Sequence, residues 1–242
     1  MPSASADIPS NTAAFLAGIK AAFTSVFAGV VFGTYIGIGA LTHDLGLSLG
    51  WAFASTLLIW AAPNQVILVT GVGTGAAPLA TALAVSLSGV RLLPMVVSLL
   101  PLLRRPGLSM RSLLLPAHFT AVSMWLVALK VLPAVPRERR VAFCNGIGAG
   151  FLAVATSSNA VGFYLAANLP PLAAAALLFL TPISFCVSVF GSTPRIVDRL
   201  AFGFGLVIGP VLALWGVELD LLWAGVAGGT LAFLAGRLWR KP

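Results

Sequence analysis

Long apolar runs constrain this chain more than any other feature. Eight of them, at about 14–41, 48–71, 79–103, 113–132, 141–167, 172–191, 200–216 and 219–238, take up most of its 242 residues. Each is close to the roughly 20 apolar residues that a spanning helix needs. The connections are short, so no separate soluble domain fits between them. A transmembrane β-barrel would show short alternating segments instead. Only 8% of the residues are charged and 59% are hydrophobic, against about 25% charged in a soluble domain. The net charge of +8 is carried by too few residues to coat a nucleic-acid-binding face. Soluble enzyme, disordered chain and coiled coil fall on the same figures. The expected fold class is all-α, a polytopic membrane protein with seven or eight transmembrane segments, several broken by Pro or Gly. Residues 1–13 read as a mobile N-terminal tail, with Asn11 or Thr12 capping the first helix, and 14–242 as a single transmembrane helical domain.

Lys and Arg in short loops set orientation. Arg137, Arg139 and Arg140 lie in one loop, Arg195 and Arg199 in another, and Arg237, Arg240 and Lys241 at the C-terminus, while 168–171 and 217–220 carry none. The second half therefore alternates, with its C-terminus cytoplasmic. The first half breaks the pattern, because Arg104, Arg105 and Arg111 precede the 113–132 run and the loop after that run is basic too. Either 104–111 faces outward against the rule, or one early segment fails to cross. Gly29, Gly33 and Gly37 form overlapping G-x-x-x-G patterns that favour close helix packing. A weak internal similarity links 57–71 to 177–191, each followed by a run with an internal proline (Pro94, Pro210). Paired interrupted helices in two halves point to a transporter site.

Few residues carry chemistry. Arg91 sits mid-run, where a charge costs several kcal/mol, and every acid lies in a tail, a loop or near a run's end. It is either a receptor for a carboxylate or phosphate or a snorkelling or carbonyl-capped arginine fixing a helix break. Pro63-Asn64-Gln65 interrupts the second run and puts two amides in the membrane, where a restarting helix would aim free N–H groups at an anion. The other reading is a kink with interhelical amide bonds. Thr156-Ser157-Ser158-Asn159 cannot share one helix face, since four residues sweep about 300°. Either that helix is enclosed or it breaks, and Ser157, Ser158 and Asn159 line a site or pack. Thr181, Ser184 and Ser188 could form a polar stripe. His118 is the one titratable group within a run that switches near neutral pH, either as a proton carrier or as a hydrogen-bonded structural residue. Lys130 snorkels from a run's end. Cys144 and Cys186 read as small buried hydrophobes. The chain has no P-loop, H-E-x-x-H or G-x-S-x-G. Its Gly71–Ala76 segment follows no strand, and His43-Asp44 has no nucleophile nearby, so no enzyme activity, cofactor or metal is expected.

Three segments together resemble the AzlC family, the large subunit of bacterial branched-chain amino-acid exporters: the glycine-rich first helix near Gly18-Ile19-Lys20, Ala61-Ala62-Pro63-Asn64-Gln65, and Ser88-Gly89-Val90-Arg91-Leu92-Leu93. The resemblance runs from about 14 to 238. It implies a secondary transporter subunit in the bacterial inner membrane, exporting Leu, Ile, Val or related small amino acids with a small AzlD-like membrane subunit. Gln65 and Arg91 carry over from the family's motifs. Where relatives have a Thr-Asp-Glu segment, this chain reads His118-Phe119-Thr120 and has no acid. The competing reading is a non-catalytic membrane scaffold whose Arg91 pairs with an acid of a partner subunit.

Overall fold

The computed structural model describes residues 8–166, 196–217 and 220–239, with isolated positions 170, 172, 173, 176 and 183. Contacts divide the chain into two compact units, 1–182 and 183–242. All regular structure among the described residues is helical. Val26–Asp44, Arg137–Ala166 and Ile196–Leu214 are long and apolar enough to cross a membrane, and Pro78–Gly89 with Leu92–Leu103 adds a fourth span if that bent pair is one crossing.

The first unit is organised around one long helix. Its elements are α1 (Asn11–Phe23), α2 (Val26–Asp44), α3 (Leu49–Leu58), α4 (Ala62–Gly73), α5 (Pro78–Gly89), α6 (Leu92–Leu103), α7 (Leu114–His118), α8 (Val122–Val131) and α9 (Arg140–Ala166). With 27 residues, α9 is about 40 Å long. The α1 and α2 helices follow one another along it. Gly18 faces the backbone of Phe143 and Ile147, Gly146 faces Phe15, Gly39 faces Asn159 and Gly162 faces Ile36. At these places a Cβ would strike backbone, so the small residues let helix axes approach closely. Gly29 of the expected stripe does not do this, since nothing lies near it. Close approach instead uses Gly18 and Gly39. The 14–41 run is also two helices, parted at Thr24-Ser25, and Ser10 rather than Asn11 or Thr12 caps α1 by accepting from Ala13 N at 3.0 Å.

Two expected crossings turn out to be hairpins. Gly73, the last residue of α4, abuts the Leu45 side chain at the end of α2. The 48–71 run therefore begins and ends at one place, near the C-terminal end of α9, where the His43 ring packs edge-on to Phe163 at 5.3 Å. Its helix stops at Ile59-Trp60-Ala61, not at the expected Pro63-Asn64-Gln65. Pro63 lies in the first turn of α4, where a missing N–H costs nothing. The 113–132 run closes the same way from the other end. Arg140, the first residue of α9, donates from Nε to Val135 O (2.9 Å), from Nη1 to Leu102 O (3.1 Å) and from Nη2 to Pro133 O (3.2 Å). Leu113 and Leu103 line one small apolar cavity with Val96, Leu99, Pro116 and Thr120. Both ends of this run thus meet the C-terminal end of α6, and α7 and α8 are parted at Phe119-Thr120-Ala121. That break carries no sequence warning from Pro or Gly.

Between the hairpins, α5 and α6 form a rod bent by 43° at Val90-Arg91. The run, expected to be interrupted around Arg91 and Pro94, breaks at Arg91, while Pro94 sits in the first turn of α6 and the proline inside that helix is Pro101. In the second unit, α10 (Ile196–Leu214) and α11 (Asp220–Trp239) pack antiparallel, with Gly228 against the Gly205 backbone and Gly236 against Val197. Thr181, Ser184, Ser188, Cys186 and nearly all of the 177–191 half of the suspected repeat lie outside the described residues.

Candidate functional site

The two hairpins enter from opposite ends of α9, and their tips touch. Trp60 Nε1 donates to Phe119 O at 2.7 Å. His118 Nε2 donates to Leu57 O at 3.0 Å. Phe119 presses on Gly148, and Tyr35 stacks on Trp60 with centroids 5.9 Å apart. Each of the two hydrogen bonds satisfies a carbonyl that an interrupted helix leaves without its usual donor. Each tip also begins a helix, α4 at one and α8 at the other. Neither helix start has a side-chain cap, the N-cap residues being Ala61 and Ala121. Helix starts carry free N–H groups and the positive end of the helix dipole.

Arg91 stands next to this junction. Asn64, in the first turn of α4, is 5% exposed, and its Oδ1 accepts from Ser88 Oγ at 2.8 Å. Gly89 leaves room for the Asn64 amide. Ser88 is one helical turn before Arg91, so Asn64 ties the α4 start to the bend that carries the guanidinium. Arg91 is exposed and makes no hydrogen bond or ion pair. It caps no carbonyl, which removes the carbonyl-capped reading of the sequence. Pro94 is not its neighbour in a broken turn either.

A second polar cluster fills the inside of the first hairpin. Gln65 Nε2 donates to Ser55 Oγ at 2.8 Å and Thr56 Oγ1 at 2.9 Å. Asn159 Nδ2, from α9, donates to Thr56 Oγ1 at 2.7 Å and Ala52 O at 3.3 Å. Both amide side chains are fully buried. The expected quartet on α9 is thereby separated. The helix does not break there. Asn159 joins the cluster, while Ser158 is buried but bonds back to Val154 O. Ser157 is exposed and bonds back to Ala153 O (2.8 Å) and Val154 O (3.0 Å). Ser157 is therefore no part of the cluster, because the 100° step per residue turns it away. Thr156 keeps a buried hydroxyl oxygen with no partner.

Sequence reasoning found Gln65, Asn64, Asn159, Arg91 and His118, and missed Ser55, Thr56, Trp60 and the Phe119 carbonyl. Ser55 and Thr56 lie ten and nine residues before Gln65, a spacing that signals pairing only once the run is known to fold back. His43 and Asp44 pair at 3.3 Å, at the outer end of α2 and away from this junction. Among the described residues no group of three His, Cys, Asp or Glu could hold a metal.

No curated protein and no solved structure matches the chain. The family described as AzlC protein matches residues 22–169, a stretch that holds both hairpins, the α5–α6 bend and the whole of α9. Of the three segments that carry the resemblance, Ala61–Gln65 and Ser88–Leu93 lie inside that stretch and Gly18–Lys20 lies before it, and the chain belongs to the AzlC family, which is associated with branched-chain amino-acid transport.

Proposed function

We propose that this chain is a secondary transporter subunit exporting branched-chain or related small amino acids across the bacterial inner membrane, together with a small AzlD-like membrane subunit. One observation carries the reading. The unpaired Arg91 stands on the bend that Ser88 and Asn64 tie to the uncapped start of α4, and that start adjoins the meeting point of two opposed hairpins. Discontinuous helices whose starts face a central site are how many transporters hold an anionic group. The substrate carboxylate docks on Arg91 and the α4 start, with Pro63 shaping the turn and Asn64 bracing it. Gln65 and Asn159 form the polar wall behind it, and Ser158 packs that wall. His118 is the proton-coupling group. Its Nε2 holds the tips together through Leu57 O, and its Nδ1 is left to take a proton.

The same geometry supports a revised topology of six crossings in place of seven or eight. The 48–71 and 113–132 runs are re-entrant. Arg104, Arg105 and Arg111 then lie on the face of Arg137, Arg139 and Arg140, and the positive-inside conflict disappears. Arg139 also holds the N-terminal segment to that face, donating to Asn11 Oδ1 (2.8 Å) and Pro9 O (2.9 Å). In a variant lacking Cys144 and Cys186, Ser109→Cys is expected to react with impermeant thiol reagents only from the cytoplasmic side, and Thr74→Cys only from the outside. Labelling of Ser109→Cys from outside overturns the re-entrant assignment.

The functional test is efflux of labelled leucine, isoleucine and valine from membrane vesicles containing the chain and its partner. Arg91→Ala is expected to insert normally and lose at least 100-fold in export, and normal export by that variant refutes the carboxylate role. The exposure of Arg91 favours one second reading, a scaffold whose arginine pairs with a partner's acid. Transport by the purified chain alone excludes it.

A further inference from the structure

The buried cluster inside the first hairpin is short of hydrogen-bond donors in a way its own geometry enforces. Ser55 Oγ and Thr56 Oγ1 both commit their protons to Ala52 O, at 3.1 and 2.8 Å. With their protons turned there, both hydroxyls accept, and Gln65 and Asn159 turn their N–H groups toward them. Asn159 Nδ2 also faces Ala52 O, which can only accept, so a flip of that amide would set oxygen against oxygen. Their carbonyl oxygens, Gln65 Oε1 and Asn159 Oδ1, are left buried with no partner, in side chains that are 0% exposed. Two such oxygens, on amides that share Thr56, are unusual in a native interior.

We infer that Gln65 Oε1 and Asn159 Oδ1 are ligands of a small monovalent cation such as Na+, bound between α4 and α9 at the end of α3. The chemistry of the donors selects this class. They are neutral oxygens, with no sulfur or imidazole to favour a transition metal and no carboxylate to meet the demand of Ca2+ or Mg2+. Carbonyl oxygens replace the hydration shell of alkali cations in membrane proteins. The position adds to this, because Ser55 and Thr56 are in the last turns of α3, whose C-terminal end carries the negative end of its dipole. The inference rests on the cluster alone and does not use the amino-acid reading.

The test uses the full chain in lipid nanodiscs. Radiolabelled Na+ binding and thermal unfolding are followed against NaCl or KCl, with choline chloride holding ionic strength constant. Saturable binding of one alkali cation per chain is expected, with a matching rise in Tm. Asn159→Asp keeps the shape and turns the orphan oxygen into a carboxylate, and is expected to tighten binding at least tenfold. Gln65→Glu gives an independent variant with the same expected sign. Absence of saturable Na+ and K+ binding in the wild type overturns the inference and assigns the oxygens to buried water. Unchanged affinity in both acidic variants overturns it too. So does stabilisation by leucine or methylammonium with none by Na+ or K+, an outcome that gives the oxygens to the ammonium group of a substrate.

Discussion

The two hairpins have the same outline and are held by opposite means. The α3–α4 hairpin is fastened from within, where Gln65 on one arm grips Ser55 and Thr56 on the other and Asn159 ties the α3 arm to α9. The α7–α8 hairpin has no such interior. Its one buried hydroxyl, Thr120, bonds back to Pro116 O, and it is fastened at its base by Arg140 and at its tip by Trp60. A polar interior fixes an element by many bonds that fail together. The first hairpin is thus held along its interior and the second at its two ends.

Several substitutions would break or sharpen that contrast. The largest effect is expected at the clamp. Arg140→Ala removes three charge-assisted bonds at once, and about 3 kcal/mol of stability should be lost, read as a fall in Tm with the α7–α8 arms gaining protease sensitivity before the rest. Equal sensitivity in both hairpins would erase the distinction. Gln65→Leu comes next. It deletes two buried bonds but also one orphan oxygen, so about 1–2 kcal/mol is expected, spread across α3, α4 and α9 in hydrogen exchange. The smallest change in stability is expected for His118→Gln, under about 1 kcal/mol, because the amide preserves a donor for Leu57 O. That variant should nonetheless lose export driven by an imposed pH gradient, and unaltered coupling to that gradient would remove His118 from proton coupling.

Much of the junction was legible in the sequence, and the hairpins were not. Asn64, Gln65, Arg91 and Asn159 stand out because polar side chains in apolar runs need partners, and three of these four meet a partner that the structure identifies. Hydropathy cannot tell a crossing from a run that turns back, since both must be apolar along their length. The break at Phe119-Thr120 was hidden for another reason. It is stabilised by distant groups, the Trp60 indole and the space at Gly148, and not by a local breaker. The one sequence signal that did expose the second hairpin was electrical. Two basic loops flank a single run, and that is a contradiction for a crossing helix but a requirement for a re-entrant one. Proline misled in the opposite sense at Pro63 and Pro94. Each lies in the first turn of a helix that it helps to start.

The glycine-lined face of α9 has a consequence for how the chain is made. Synthesis proceeds from the N-terminus, so α1, α2 and both hairpins enter the membrane before α9 exists. Gly146, Gly148 and Gly162, and the amide of Asn159, are the seats against which those earlier elements rest. Until about residue 166 has been inserted, the 48–71 and 113–132 runs are apolar segments with no backing. The helix synthesised after them is therefore the one that decides whether they have a place to go.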